Sequence, residues 1–94
     1  MLENVKTALR IRNTSFDGEI EDLIDAARHD LALSGVLVEK TESDDDPLII
    51  RAIITYCKAN FGYDNPDADR FEKSYVMLKQ HLSLAGDYYE SPVV

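Results

Sequence analysis

The centre of this protein is set by residues 46–62, which read Asp46-Pro47-Leu48-Ile49-Ile50-Arg51-Ala52-Ile53-Ile54-Thr55-Tyr56-Cys57-Lys58-Ala59-Asn60-Phe61-Gly62. Aspartate is a favoured N-cap, and proline at the first helical position loses no hydrogen bond, so Asp46-Pro47 predicts a helix start. Gly62 predicts its end. The isoleucines are typical of strands, but the fourteen residues of 48–61 favour a helix, because strands are shorter.

The predicted helix 48–61 is apolar around most of its circumference. Its clearly polar interior positions are Arg51, Thr55 and Lys58, whose i, i+4, i+7 spacing places them on one narrow stripe. A helix of this kind has to be covered on several sides. We therefore predict that it is the central core helix and that the stripe is its one face free to meet solvent or a charged neighbour. A neighbouring subunit is a candidate to cover part of it.

Three other segments carry apolar residues at helical spacing and end in helix-terminating residues. They are residues 2–10, a second segment starting within 15–17 and running to about 34, and residues 65–85. Gly35 is predicted to end the second segment in the left-handed conformation, and Gly86 to end the last one. Residues 36–46 are predicted to be a connection, with a brief extended piece at 36–38 and a solvated acidic run at 42–46.

These segments predict an all-α, four-helix bundle-like domain around the central apolar helix. The helical domain spans residues 1–86, and residues 87–94 form an extended C-terminal tail. Ninety-four residues suffice for one domain with one modest core. No apolar run approaches the length of a membrane span. The single cysteine, Cys57, cannot form an internal disulfide, which favours a reducing intracellular setting.

The charge balance argues against a protein that grips nucleic acid. The chain has 18 acidic and 10 basic residues, a formal charge of −8, and its basic residues form no dense cluster. Binding to phosphates requires such a cluster. A helix-turn-helix DNA binder is disfavoured for the same reason, since neither the second nor the last predicted helix has a basic face. An acidic surface that faces DNA without gripping it stays open.

No combination of residues predicts catalysis, a metal or a cofactor. His29 and His81 lie in different helices with no second strong ligand nearby, and Cys57 lies on an apolar helix face without a thiolate-stabilising neighbour. The two acidic stretches also fail as calcium loops. Counting from Asp44 puts Leu48 in a ligand position, and counting from Asn65 puts arginine where glycine belongs. We predict that the protein is not an enzyme.

The tail is unusually rich in aromatic and apolar residues for a free end. One interpretation is a frayed terminus. The other is an arm that orders on a partner, with Tyr88, Tyr89, Val93 and Val94 as its contact residues. The sequence leaves both interpretations open.

An ordered set of segments resembles the small head–tail connector (adaptor) proteins of long-tailed bacteriophages and prophages. The resemblance covers about residues 2–86, and its motifs concern packing and capping. They are Leu9-Arg10-Ile11, Asp17-x-x-Ile20-x-x-Leu23-Ile24-x-Ala26-Ala27, Asp46-Pro47-Leu48-Ile49, Ala52-Ile53-x-x-Tyr56-x-Lys58-Ala59-Asn60-Phe61-Gly62 and Phe71-x-x-Ser74-Tyr75-x-x-Leu78-Lys79-x-x-Leu82.

The resemblance implies a structural subunit of the virion neck, assembled in the bacterial host cytoplasm. Such subunits form a ring of about a dozen copies beneath the portal protein and extend its DNA channel. Head-closure or tail-completion proteins dock below the ring, and a C-terminal segment reaches toward the portal, a role for which residues 86–94 are the candidate. DNA would pass through without specific binding, and the family has no catalytic signature.

Two other classes of function stay open from the sequence. One is a small helical regulatory or protein-binding module. The other is a helical enzyme subunit or inhibitor.

Overall fold

The helices begin and end close to the capping residues of the sequence. The computed structural model describes residues 1–62 and 64–88, and within them the chain forms α1 (Leu2–Leu9), α2 (Asp17–Leu33), α3 (Val38–Thr41), α4 (Pro47–Asn60) and α5 (Ala68–Leu84). The predicted all-α class and the predicted start of the central helix are confirmed. Asp46 is the N-cap of α4, and Phe61 and Gly62 follow its last turn.

The connection 36–46 differs from the prediction, because it contains the single-turn helix α3. One turn is too short to show a 3.6-residue period, so the sequence gives no signal for it. The turn is instead fixed from α2, where Arg28 Nη1 donates to the carbonyl oxygen of Thr41 at 2.7 Å and Nη2 pairs with Asp44 at 2.7 Å. Thr41 is buried beneath this contact.

The last long helix starts later than residues 65–66. Asn65 Oδ1 accepts a hydrogen bond from the main chain of Asp67 at 3.1 Å, and the Ala68 N–H donates to the Asn65 carbonyl. A tight turn of this kind commonly precedes a helix, since the asparagine side chain competes for backbone donors. Residues 65–67 therefore form a turn, and α5 begins at Ala68.

The core forms where α4 meets α5, α2 and α1. Four residues of α4, Ile49, Ala52, Ile53 and Cys57, are fully buried, and each long apolar side chain removed from water contributes about 1.5–3 kcal/mol. The other buried apolar residues come from α1, α2, the start of the connection and α5, and are Val5, Ile20, Ile24, Ala27, Leu31, Val36, Tyr75 and Leu82.

Polar contacts at two places tie the outer helices together at the edge of this core. Lys6 of α1 is buried, and its Nζ lies 2.8 Å from Oδ1 of Asp17 at the start of α2. Between α2 and α5, Asp30 Oδ2 accepts from the buried Tyr75 hydroxyl at 2.6 Å and from Lys79 Nζ at 3.1 Å. Partial burial raises the pKa of Asp30, but these two donors outweigh it, so the net pKa lies below the usual value.

Gly35 adopts the left-handed conformation predicted for the end of α2, with φ of 104°. Its N–H donates to the carbonyl of Ala32, and the N–H of Val36 donates to that of Leu31, both at 3.1 Å. These paired bonds satisfy carbonyls that the helix end leaves free. They also turn Val36 into the core, where it is buried.

We expect Gly35→Ala to lower the free energy of unfolding by about 1 kcal/mol, because a side chain disfavours positive φ. Gly18 provides the matched control, since it lies within the first turn of α2 with open space around it. Gly18→Ala should leave stability unchanged or raise it by about 0.5 kcal/mol. Urea denaturation of both variants checks this, and equal effects of the two substitutions would contradict the role given to Gly35.

Candidate partner-binding surface

The predicted polar stripe lies along an open groove between α4 and α5. Lys58, near the end of α4, lies over the ring of Phe71, near the start of α5, with Nζ 5.5 Å from the ring centroid. The rings of Tyr56 and Tyr75 are 5.1 Å apart, so an earlier residue of α4 meets a later residue of α5 and the two helices run antiparallel. The groove has a volume of about 850 Å³ and is lined by Pro47, Ile50, Arg51, Ile54, Thr55, Lys58, Phe71, Ser74, Met77, Leu78 and His81. We call it the α4–α5 groove.

The structure brings Arg51, Thr55 and Lys58 together on this groove. Arg51 is exposed, whereas Thr55 and Lys58 are half-buried. The hydroxyl of Thr55 donates to the carbonyl of Arg51 at 2.8 Å, so its hydrogen-bond donor already has an acceptor within α4. Arg51 and Lys58 are thus the side chains with charge to offer a partner.

The α5 side of the groove was not predicted from the sequence. Met77 is 60% exposed and Leu78 is half-buried, so an apolar strip runs beside the two cations of α4. Exposed apolar surface rimmed by polar side chains is typical of protein-binding surfaces. The signal available from the sequence was Met77, an apolar residue outside the helical spacing of Phe71, Tyr75, Leu78 and Leu82.

Tyr88, a predicted tail contact, packs against the chain's own core. Its hydroxyl donates to Oδ2 of Asp46 at 2.8 Å, and its carbonyl accepts from the N–H of Leu37 at 2.8 Å. The ammonium of Lys40 lies 5.2 Å from the centre of its ring. The other predicted tail contacts, Tyr89, Val93 and Val94, lie outside the described residues.

Asp46 therefore serves two partners at once. Its Oδ1 accepts from the N–H groups of Leu48 at 2.9 Å and Ile49 at 3.3 Å, which caps α4, and the Tyr88 hydroxyl lies 3.0 Å from Oδ1 and 2.8 Å from Oδ2. Partial burial raises the pKa of Asp46. The hydrogen bonds from Tyr88 and from the backbone together lower it by more, so the net pKa is below the usual value. The same hydrogen bond raises the pKa of Tyr88.

The residues with catalytic potential lie apart. Burial raises the pKa of the Cys57 thiol to about 12, which leaves it protonated near neutral pH. His29 is exposed on α2 and His81 is exposed on α5. Across residues 1–62 and 64–88, no three acidic, histidine or cysteine side chains cluster as metal ligands, and no helix of this part is long and apolar enough to cross a membrane.

Fold and surface together define a small all-α protein with an open groove between α4 and α5. A family model described as phage connector protein matches residues 1–89, and the chain belongs to this family. Comparison with curated proteins and with solved structures gave no match. The resemblance drawn from the capping and packing motifs is confirmed, and membership supports a phage connector role as a component of the virion neck between head and tail.

We expect Asp46→Ala to lower the free energy of unfolding by about 1–2 kcal/mol at pH 7, because it removes the cap of α4 and the acceptor of Tyr88. Asp46→Asn keeps a capping oxygen and should cost less. Because the folded-state pKa of Asp46 is depressed, the advantage of wild type over Asp46→Asn is complete above about pH 4 and is lost as the pH falls through the folded pKa.

Urea denaturation of wild type and Asp46→Asn from about pH 7 down to about pH 3 measures this difference. Asp45→Asn is the control, since it removes the same charge from an exposed neighbouring side chain and should change stability by less than about 0.5 kcal/mol. A gap between wild type and Asp46→Asn that stays constant over this range would count against the assigned role of Asp46.

Proposed function

We propose that this protein is a structural, non-enzymatic subunit of a ring of about a dozen copies that sits beneath the portal and extends its DNA channel. The observation that carries the proposal is the match of the phage connector family model along residues 1–89. Head-closure and tail-completion proteins would dock on the side away from the portal. Assembly would take place in the host cytoplasm, and the finished ring would remain in the virion neck.

The form of the subunit is compatible with a place in a ring. The described residues extend over 49 × 24 × 18 Å, so the molecule is elongated and can stand beside its neighbours with long faces in contact. The α4–α5 groove runs along two of its longest helices. A subunit with a long, partly apolar face fits an assembly in which each copy covers its neighbour.

The charge of the chain suits a channel through which DNA slides. With 18 acidic and 10 basic residues, the chain has a formal charge of −8. Acidic residues on a channel wall repel the phosphates of DNA. Non-specific binding to DNA requires basic residues that displace counterions from the phosphates, and this chain has no dense basic cluster. DNA would therefore pass through the ring without specific binding.

Two parts of the chain are proposed as contacts. The tail contacts Tyr89, Val93 and Val94 would reach toward the portal, starting from Tyr88, which the fold holds against α4 and the start of α3. The stripe Arg51, Thr55 and Lys58 would meet a charged neighbour through the α4–α5 groove.

Mixing the protein with its cognate portal at micromolar concentration should give an added ring-shaped layer on one face of the portal. Negative-stain electron microscopy detects the layer, and native mass spectrometry counts its copies. The portal of an unrelated phage serves as the control and should stay bare. Absence of any association with the cognate portal at these concentrations would overturn the proposal.

A chain that ends at Tyr88 tests the tail separately. We expect it to keep its fold, because the described contacts of Tyr88 remain, and to bind the portal about tenfold or more weakly, since anchoring side chains in the interface are lost. Circular dichroism checks the fold, and titration against the immobilised portal checks the affinity. Unchanged affinity would exclude the tail as a portal contact.

A further inference from the structure

The α4–α5 groove has a charge opposite to that of the chain around it. Its lining includes Arg51, Lys58 and His81 and no acidic residue, in a chain where acids outnumber bases by 18 to 10. In the part of the chain that the structure describes, neither Arg51 nor Lys58 pairs with a carboxylate. The groove thus offers uncompensated positive charge beside the apolar side chains of Ile54, Met77 and Leu78.

The outer side of α2 has the complementary character. The residues of α2 turned away from the core include Glu21, Asp22, Asp25, Ala26, His29 and Leu33, all exposed. We call this surface the acidic side of α2. None of its three carboxylates forms an ion pair within residues 1–62 and 64–88. Leu33, at its far end, is 75% exposed and adds an apolar side chain to this surface.

The two surfaces match in length and in pattern. Asp22, Ala26, His29 and Leu33 follow one another at i, i+4, i+7 and i+11, a single line of about 17 Å along α2 at 1.5 Å per residue. From Pro47 to Lys58 the groove also follows α4 for about 17 Å. A helix laid in a groove uses this spacing for its anchors. Ala26 has a small side chain, which allows close approach.

One molecule cannot bring its own two surfaces together. The groove is formed by α4 and α5 alone, and the acidic side of α2 is opposite the residues that α2 buries in the core, such as Ile20, Ile24 and Ala27. The partner of the groove therefore has to come from a second molecule, and another copy of this chain offers a complementary surface. A contact between two different faces repeats from copy to copy and closes into a ring when the rotation allows.

We infer that the α4–α5 groove of one subunit receives the acidic side of α2 from the next copy. Asp22 lies against Lys58, Asp25 lies between Lys58 and Arg51, and Leu33 reaches the Pro47 end of the groove. In this arrangement α2 runs antiparallel to the α4 of its neighbour. The inference rests on the proposed function, because it specifies the contact that joins neighbouring subunits of the ring.

Charge reversal tests the contact. Arg51→Glu with Lys58→Glu reverses the groove, and Asp22→Lys with Asp25→Lys reverses the acidic side of α2. The control Arg12→Glu with Lys73→Glu changes the net charge as the groove variant does, but at exposed positions outside the groove. Each protein is mixed with the cognate portal, and rings are counted by electron microscopy after circular dichroism has verified the fold.

We expect wild type and the control to form rings, and each reversed variant alone to require about tenfold or more protein to do so. An equimolar mixture of the two reversed variants should restore rings, because each reversed groove then meets a reversed α2. Rescue in the mixture cannot come from a contact with the portal, since it requires two copies of this chain to touch.

The outcomes separate the two proposals. If either reversed variant alone forms rings as readily as wild type does, the inferred contact is overturned. The same holds if the mixture of the two reversed variants fails to restore rings. In both cases the connector function still stands. If wild type forms no ring on the portal, the proposed function fails and the inferred contact fails with it.

Discussion

The fold depends on one constraint: α4 is apolar on nearly every side and has to be covered. α1, α2 and α5 pack around it, and its residues Ile49, Ala52, Ile53 and Cys57 reach zero exposure. With 94 residues, the chain has only a modest core to gain stability from. The side of α4 that the chain leaves open becomes the floor of the α4–α5 groove, so the constraint that forms the core also produces the groove.

Much of the fold could be predicted because α4 carries its own start and stop residues. Asp46, Pro47 and Gly62 mark its ends, and a stripe of three polar residues marks its open side. α3 could not be predicted, since it is one turn long and depends on Arg28, a residue of another helix. The contacts Lys6–Asp17 and Asp30–Tyr75 were equally out of reach, because such pairings arise only from the packing of whole helices.

The candidate contact surface could be predicted only in part, for a similar reason. A helical wheel identifies Arg51 and Lys58 as neighbours, because their spacing lies within one helix. Which side chains face them depends on how α5 docks, so Met77 and Leu78 appear only in the folded molecule. Tyr88 seemed from the sequence to belong wholly to the tail, yet its hydroxyl finds an acceptor in Asp46, 42 residues away.

The anchoring of Tyr88 couples the chain after α5 to the start of the central helix. Tyr88 is held by the main chain of Leu37 and by the carboxylate of Asp46, so a force applied at Tyr88 acts on the first turn of α4 as well as on α5. The N–H groups of Leu48 and Ile49 share the Asp46 carboxylate with Tyr88, so a protein that held the chain beyond Tyr88 would act on the cap of α4. Docking and the stability of the central helix are then thermodynamically coupled.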